Sequence, residues 1–302
     1  MLNRQIQSPK KIPLPQSHTT PVPLSDQLSR NSIPYQDPLA EIDWQNIDHD
    51  KFWLPENALT IYGLAEYQNL SLAQKKHLSH YEFLYFVHGA LWLESLFIER
   101  IARSLKSSRH DFATQIYHLH ELREEAGHSL MFLELIKRSE LKIPTTTLYR
   151  WNLANFVALY APFESSLFWL AVLIGEQVPD EMNRLIRRSD TQICSIIRQI
   201  TTHHVLDEAR HIAHAQAMLA NKIATVPVWQ RKCLQLLSKR IFSQFVQAFY
   251  YPPPSLYQLA GLPQQINWPH LARTNIHRKN FIRQCISTPI KTLNQNGIYL
   301  HF

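Results

Sequence analysis

The run His204-Val205-Leu206-Asp207-Glu208-Ala209-Arg210-His211 sets two imidazoles and a carboxylate at positions i, i+4 and i+7. At about 100° per residue, Glu208 stands about 40° round from His204 and His211 about 20° round on the other side. One helix face therefore carries all three. A shorter copy lies upstream as Glu124-Glu125-Ala126-Gly127-His128. One Glu-x-x-His segment is common by chance, and its histidine is then an ordinary core residue. Two such segments on separate helices are the paired half of a carboxylate-bridged di-iron or di-manganese site inside a four-helix bundle.

Such a centre needs a further carboxylate from the other helix of each pair. In an antiparallel hairpin, residues equidistant from the turn share one height. A turn centred near Arg109 puts Glu125 sixteen residues after it and Glu94 fifteen before, whereas Glu99, ten before, sits about 9 Å off at 1.5 Å per residue. A second turn near Asp190 puts His204 fourteen after and Glu176 fourteen before, with Glu181 and Glu164 off register. Glu94 and Glu176 also lie in apolar runs, where an unpaired carboxylate is costly. The expected ligands are thus Glu94, Glu125, His128, Glu176, His204, Glu208 and His211. Glu125 and Glu208 would bridge, Glu94 and His128 would complete one metal, and Glu176, His211 and His204 the other. Four carboxylates offset two ferrous ions, and the oxygen-rich set suits iron or manganese better than zinc. A bound imidazole needs its second nitrogen held. Asp207 is expected to reach His128, Glu124 to reach His211, and Arg210 to brace both carboxylates.

The elements that carry these residues read as helices throughout, with no strand pattern. One is expected from Ser71 or Ser79 to about Leu105, and a second from Phe112 to about Arg138 with Asp111 as its cap. A third should run from Leu148 to about Ile174, kinked at Pro162 and disturbed around Gln177–Asp180; a fourth should run from Ser189-Asp190 to about Ala220. Residues 1–41 hold seven of the 18 prolines and read as a disordered Pro/Ser/Gln-rich tail. Residues 42–302 read as a single helical-bundle domain, with an irregular arm at its start, a metal core at about 78–220 and basic C-terminal helices over 221–302. The chain's net charge is +7, yet residues 221–302 carry ten Lys/Arg and no Asp/Glu. No nucleic-acid motif accompanies them. A solvated basic surface is the plain reading; a docking face for an acidic carrier protein or another subunit is the sharper one. A homodimer is compatible with the pattern. Three scattered cysteines form no metal or disulfide framework, and no apolar leader or membrane-length run is present, so a cytoplasmic location is expected.

The segments Glu124-Glu125-Ala126-Gly127-His128 and His204-Val205-Leu206-Asp207-Glu208-Ala209-Arg210-His211-Ile212 resemble the AurF-type di-iron oxygenases, the p-aminobenzoate N-oxygenase family of the ferritin-like superfamily. The histidine ahead of the second Glu-x-x-His is the specific part; Asp207 departs from the usual glutamate. The resemblance spans roughly residues 78–220. It implies an all-α, ferritin-like four-helix bundle, to which the sequence pattern adds extra C-terminal helices, holding two irons that activate O2 with electrons from an external donor. The implied activity is oxygen transfer to a small substrate, foremost N-oxygenation of an aryl amine; His204, a third imidazole beyond the minimal set, is expected from its place on the helix face to tune the oxidant. A di-iron hydroxylase or desaturase acting on carbon, on a carrier-bound substrate, is the alternative reading, and an iron-storage or peroxide-handling protein a weaker one. A radical-generating subunit would carry tyrosine seven residues past the first motif glutamate, where this chain has Phe132.

Overall fold

A computed structural model describes residues 23–45, 47–106, 112–143, 153–189 and 192–300. The expected cap at Asp111, the connection at Pro144–Thr147 and a helix start at Leu148 fall outside these residues. Four long helices form two antiparallel pairs: α4 (Leu72–Ser104) with α5 (Phe112–Ser139), and α7 (Ser166–Arg188) with α8 (Ser195–Ala224). This is the expected all-α four-helix bundle with added C-terminal helices, and no strand occurs among the described residues. Ser71 starts α4 through a capping box with Gln74, each side chain holding the other's backbone N–H.

The N-terminal arm is more ordered than its composition suggests. Helices α1 (Leu24–Ser32) and α2 (Pro38–Glu41) fall inside the expected tail, yet both pack on α5. Three contacts explain it. Arg123 donates to the Ser32 carbonyl at 2.5 Å and stacks 4.3 Å over the Tyr35 ring. Tyr35 in turn presses on Gly127, where a Cβ would stand 2.3 Å from its hydroxyl oxygen. The arm continues through a 3-10 turn and α3 (Ala65–Gln68), and buries Trp53, Leu54 and Ile61 in the core.

Two helix boundaries differ from the expectation. The third helix does not merely kink at Pro162. It ends, leaving α6 (Leu153–Tyr160) separate from α7. Proline lacks the N–H that would continue the ladder. The buried Arg100 guanidinium takes the freed C-terminal carbonyls of Leu159, at 2.7 Å, and Ala161, while Ser165 caps α7 through Phe168 N–H. Pro179, by contrast, lies inside a continuous α7, where burial among neighbouring helices outweighs a local cost of about 3 kcal/mol. The fourth helix starts at Ser195 rather than Ser189, because Ile193 bridges to Phe52, whose N–H donates to the Gln192 carbonyl and whose carbonyl accepts from Cys194 N–H.

The C-terminal third, α9 (Val228–Tyr250), α10 (Pro254–Leu259), α11 (Trp268–Thr274) and α12 (Ile276–Gln295), joins the same hydrophobic core as the bundle. Its basic residues are not all surface groups. Arg278 is buried and donates to the carbonyls of Ala58 and Tyr250, and Asn275 donates to those of Thr60 and Tyr62. These bonds tie α12 to the N-terminal arm. No helix among the described residues is long and apolar enough to cross a membrane. Cys194, Cys233 and Cys285 are all free thiols.

Candidate metal centre

The four bundle helices turn Glu94, Glu125, His128, Glu176, His204, Glu208 and His211 to the bundle interior, each 5% exposed or less. One ligand-type atom from each of Glu94, His128, His204 and Glu208 lies within 4.8 Å of the others, as do those of Glu176, Glu208 and His211. The weighed rivals lie elsewhere. Glu99 pairs with Arg103 at the surface, Glu181 accepts from Thr288 at 2.8 Å, and Glu164 pairs with Lys222.

Glu125 and Glu208 stand between the two motif histidines. Glu125 Oε2 is 3.5 Å from His128 Nδ1 and its Oε1 is 3.2 Å from His211 Nδ1; Glu208 Oε1 is 3.7 Å and 3.5 Å from the same two nitrogens. His204 corrects the expected partition. Its Nε2 lies 3.2 Å from Glu94 Oε1, and its ring centroid is 4.6 Å from that of His128. It therefore joins the Glu94/His128 end of the centre, not the Glu176/His211 end. The reason is axial rise: seven residues separate His204 from His211, about 10 Å along α8. Two residues on one face then address opposite ends.

The outer nitrogens are held across the bundle. His128 Nε2 is 3.2 Å from Asp207, His211 Nε2 is 3.0 Å from Glu124, and Arg210 donates to both carboxylates, at 2.8 Å to Glu124. This leaves both Nδ1 atoms directed inward. The Asn183 amide nitrogen lies 2.9 Å from His204 Nδ1. An imidazole giving Nε2 to a cation carries its proton on Nδ1, so Asn183 would then turn its oxygen there. Asn183 escaped the sequence reading because an asparagine one helix away has no spacing signature. Glu121 escaped it too, although it sits one turn before Glu125 on the same face. Phe132 packs 5.3 Å from His204, so the position where a radical subunit carries its phenol has none.

The residues fit two divalent cations. Among the described residues, Glu125 Oε1 and Oε2, Glu208 Oε2, His128 Nδ1 and His211 Nδ1 are buried with no hydrogen-bond partner. All five sit on the converging groups, where the nearest carboxylate–imidazole approaches, to His211 and His128 Nδ1, are 3.2 Å and 3.5 Å. Without cations, protons do part of the work. Burial, then the charge of Glu125, push Glu94 up, and burial with the charge of Glu208 does the same to Glu176. Burial drops His204 to about 4. His128 goes the other way: burial opposes its charge, but Asp207 and Glu125 raise it to about 9.

This fixes a sign for pH. An unfolded histidine titrates near 6.5, so between about 6.5 and 9 folded His128 holds a proton that the unfolded chain has lost. The stability it confers is complete below 6.5 and is lost as pH rises through 9. Burial lifts Glu121 to about 8, and a carboxyl kept neutral by the fold acts in the same direction over that window. We expect the melting temperature of chelator-treated protein to fall by several degrees, at about 2–4 °C per kcal/mol, from pH 6.5 to 9.5. Saturating Fe(II) should remove the fall, since ligation displaces the protons. A metal-free melting temperature that holds or rises across this window contradicts the assignment.

Residues 16–297 match the family described as P-aminobenzoate N-oxygenase AurF. Uncharacterized proteins of Mycobacterium bovis and Mycobacterium tuberculosis are 24% identical over 243 residues, which covers 78% of this chain and 70% of theirs. Among solved structures, an R2-like ligand-binding oxidase with anaerobically reconstituted Mn/Fe cofactor aligns at TM-score 0.49 and 14% identity, over 90% of both chains.

Proposed function

This chain belongs to the P-aminobenzoate N-oxygenase AurF family, and on that premise we propose that it is a non-haem di-iron oxygenase that N-oxygenates a small aryl amine. The family and the buried Glu/His centre support the broader class, a di-metal oxygenase or oxidase. The observation that carries the reading is the convergence of buried carboxylate and imidazole groups from four helices into two overlapping clusters with ligand atoms within 4.8 Å of one another. Glu94, Glu125, His128, Glu176, His204, Glu208 and His211 are the proposed ligands. Iron is the proposed metal, with manganese compatible with the same donors.

Two ferrous ions held by these seven residues would supply the reducing chemistry that O2 activation needs. The chain's own residues do the positioning. Glu124 and Asp207 accept from the Nε2–H of His211 and His128, which fixes both rings and raises their basicity as donors. Arg210 keeps the two carboxylates charged and aimed. Phe132 and the apolar α7 segment Leu170–Ile174 keep bulk water away, which limits loss of oxidant to solvent.

The test is anaerobic Fe(II) loading followed by O2, with arms containing an aryl amine, a carrier-bound acyl substrate and no substrate. Hydroxylamine or nitro product from the amine, with 18O from labelled O2, is the expected result. Oxidation at carbon only would move the protein to the hydroxylase reading. O2 consumption without organic product in any arm would remove the oxygenase reading.

A further inference from the structure

One helical turn along the bundle from the dinuclear centre lies a second buried group that the proposed reaction does not use. His118 and Glu121 stand on one face of α5, three residues apart, and His214 faces them from α8, three residues past His211. Their exposures are 0%, 5% and 2%. One ligand-type atom from each lies within 4.8 Å of the others. We propose that His118, Glu121 and His214 form a third divalent-cation site, separate from the dinuclear pair and adjacent to it.

Three observations support it. The Nε2 atoms of His118 and His214 are 3.3 Å apart. Two nitrogens each about 2.1 Å from one tetrahedral metal are about 3.4 Å apart, so the rings already stand at the spacing a shared ion requires. Glu121 Oε2 is buried without a hydrogen-bond partner among the described residues. Finally, the walls are aromatic. Tyr117 and Trp169 lie 4.7 Å and 5.3 Å from His214, and Phe163 lies 5.5 Å from His118, so the two imidazoles are walled by rings, and a cation between them would pair with the buried Glu121 carboxylate in place of its proton. Two imidazoles and one carboxylate suit Fe(II), Mn(II) or Zn(II) and leave a coordination position open. Glu121 also groups with Glu125 and His211, which makes it the contact between this site and the pair.

The experiment is Fe(II) binding to the full chain under anaerobic conditions, counted after desalting. Wild type should hold about three ions per chain, the double variant His118→Phe/His214→Phe about two, and Glu125→Ala/Glu208→Ala about one. Glu121→Gln keeps the native shape and carries the same expectation as the double variant. Anomalous scattering at the iron edge from wild-type crystals reads the site with no substitution at all. A wild type that holds about two ions, unchanged by Glu121→Gln, overturns the third site and leaves the dinuclear reading standing. A single ion lost on changing His118 and His214 but kept in Glu125→Ala/Glu208→Ala upholds the third site and overturns the dinuclear one. A protein that binds no Fe(II) overturns both.

Discussion

Glu208→Gln is expected to strip the dinuclear centre of both ions and to abolish oxygen transfer. Glu208 groups with Glu94, His128 and His204 at one end and with Glu176 and His211 at the other. Its loss therefore removes a donor from each ion and one of the four charges that offset them. The amide keeps the side chain's volume, so the fold should hold while affinity falls by more than about a hundredfold. That exceeds the 10–100-fold typical of losing an outer hydrogen-bond partner. Glu124→Gln, which replaces the carboxylate shared by His211 and Arg210 with a neutral amide, should fall in that smaller range. Glu99→Gln and Glu181→Gln should match wild type, because both side chains are satisfied at the surface. Competition with a metallochromic chelator reads all four. Wild-type affinity in Glu208→Gln, or a large loss in Glu99→Gln or Glu181→Gln, would break the proposed ligand set.

The pattern of this centre was visible before the structure to an uneven degree, and the unevenness has a physical cause. Helical periodicity is a local property, so the shared face of His204, Glu208 and His211 follows from spacing alone. The height argument also survives a boundary error. The connection between α7 and α8 is longer than expected, but its midpoint stays near residue 191, so Glu176 still faces α8 at the level of the motif. Distribution of ligands between two ions is not local: it depends on axial rise across about 10 Å, so a shared helix face alone groups His204 with His211, whereas its Nε2 lies 3.2 Å from Glu94. The order in residues 24–41 was hidden for a related reason. Composition there is poor in core formers, and what holds the segment is Arg123 and the gap at Gly127, both on a distant helix. Arg100 ending α6 and Asn183 meeting His204 are likewise tertiary contacts with no sequence spacing to announce them.

His204→Ala should separate this chain from a bundle that only holds iron. The minimal set of four carboxylates and two Glu-x-x-His imidazoles stays complete without it, so the variant should fold and keep most of its dinuclear iron. What it loses is a neutral donor at the Glu94/His128 end, with Nε2 3.2 Å from Glu94 and 3.4 Å from Glu208. Burial keeps this ring neutral, with its pKa down at about 4, unlike His128 and His211, whose carboxylate partners favour the protonated ring when no metal is bound. His204 is thus a neutral donor that needs only to carry its one proton on Nδ1, towards Asn183, to offer Nε2. Removing it opens a coordination position to water at one ion only and leaves the net charge unchanged. We expect product yield per O2 consumed to fall at least about tenfold, or about 1.4 kcal/mol in barrier terms, while iron content changes little. His204→Gln, which keeps a polar atom in the pocket but not the imidazole, should behave like the alanine variant. Iron content, O2 consumption and product are measured on the same samples. Normal yield in both variants would make His204 a packing residue against Phe132, and yield that falls only in step with iron content would make it a structural ligand with no part in directing the oxidant.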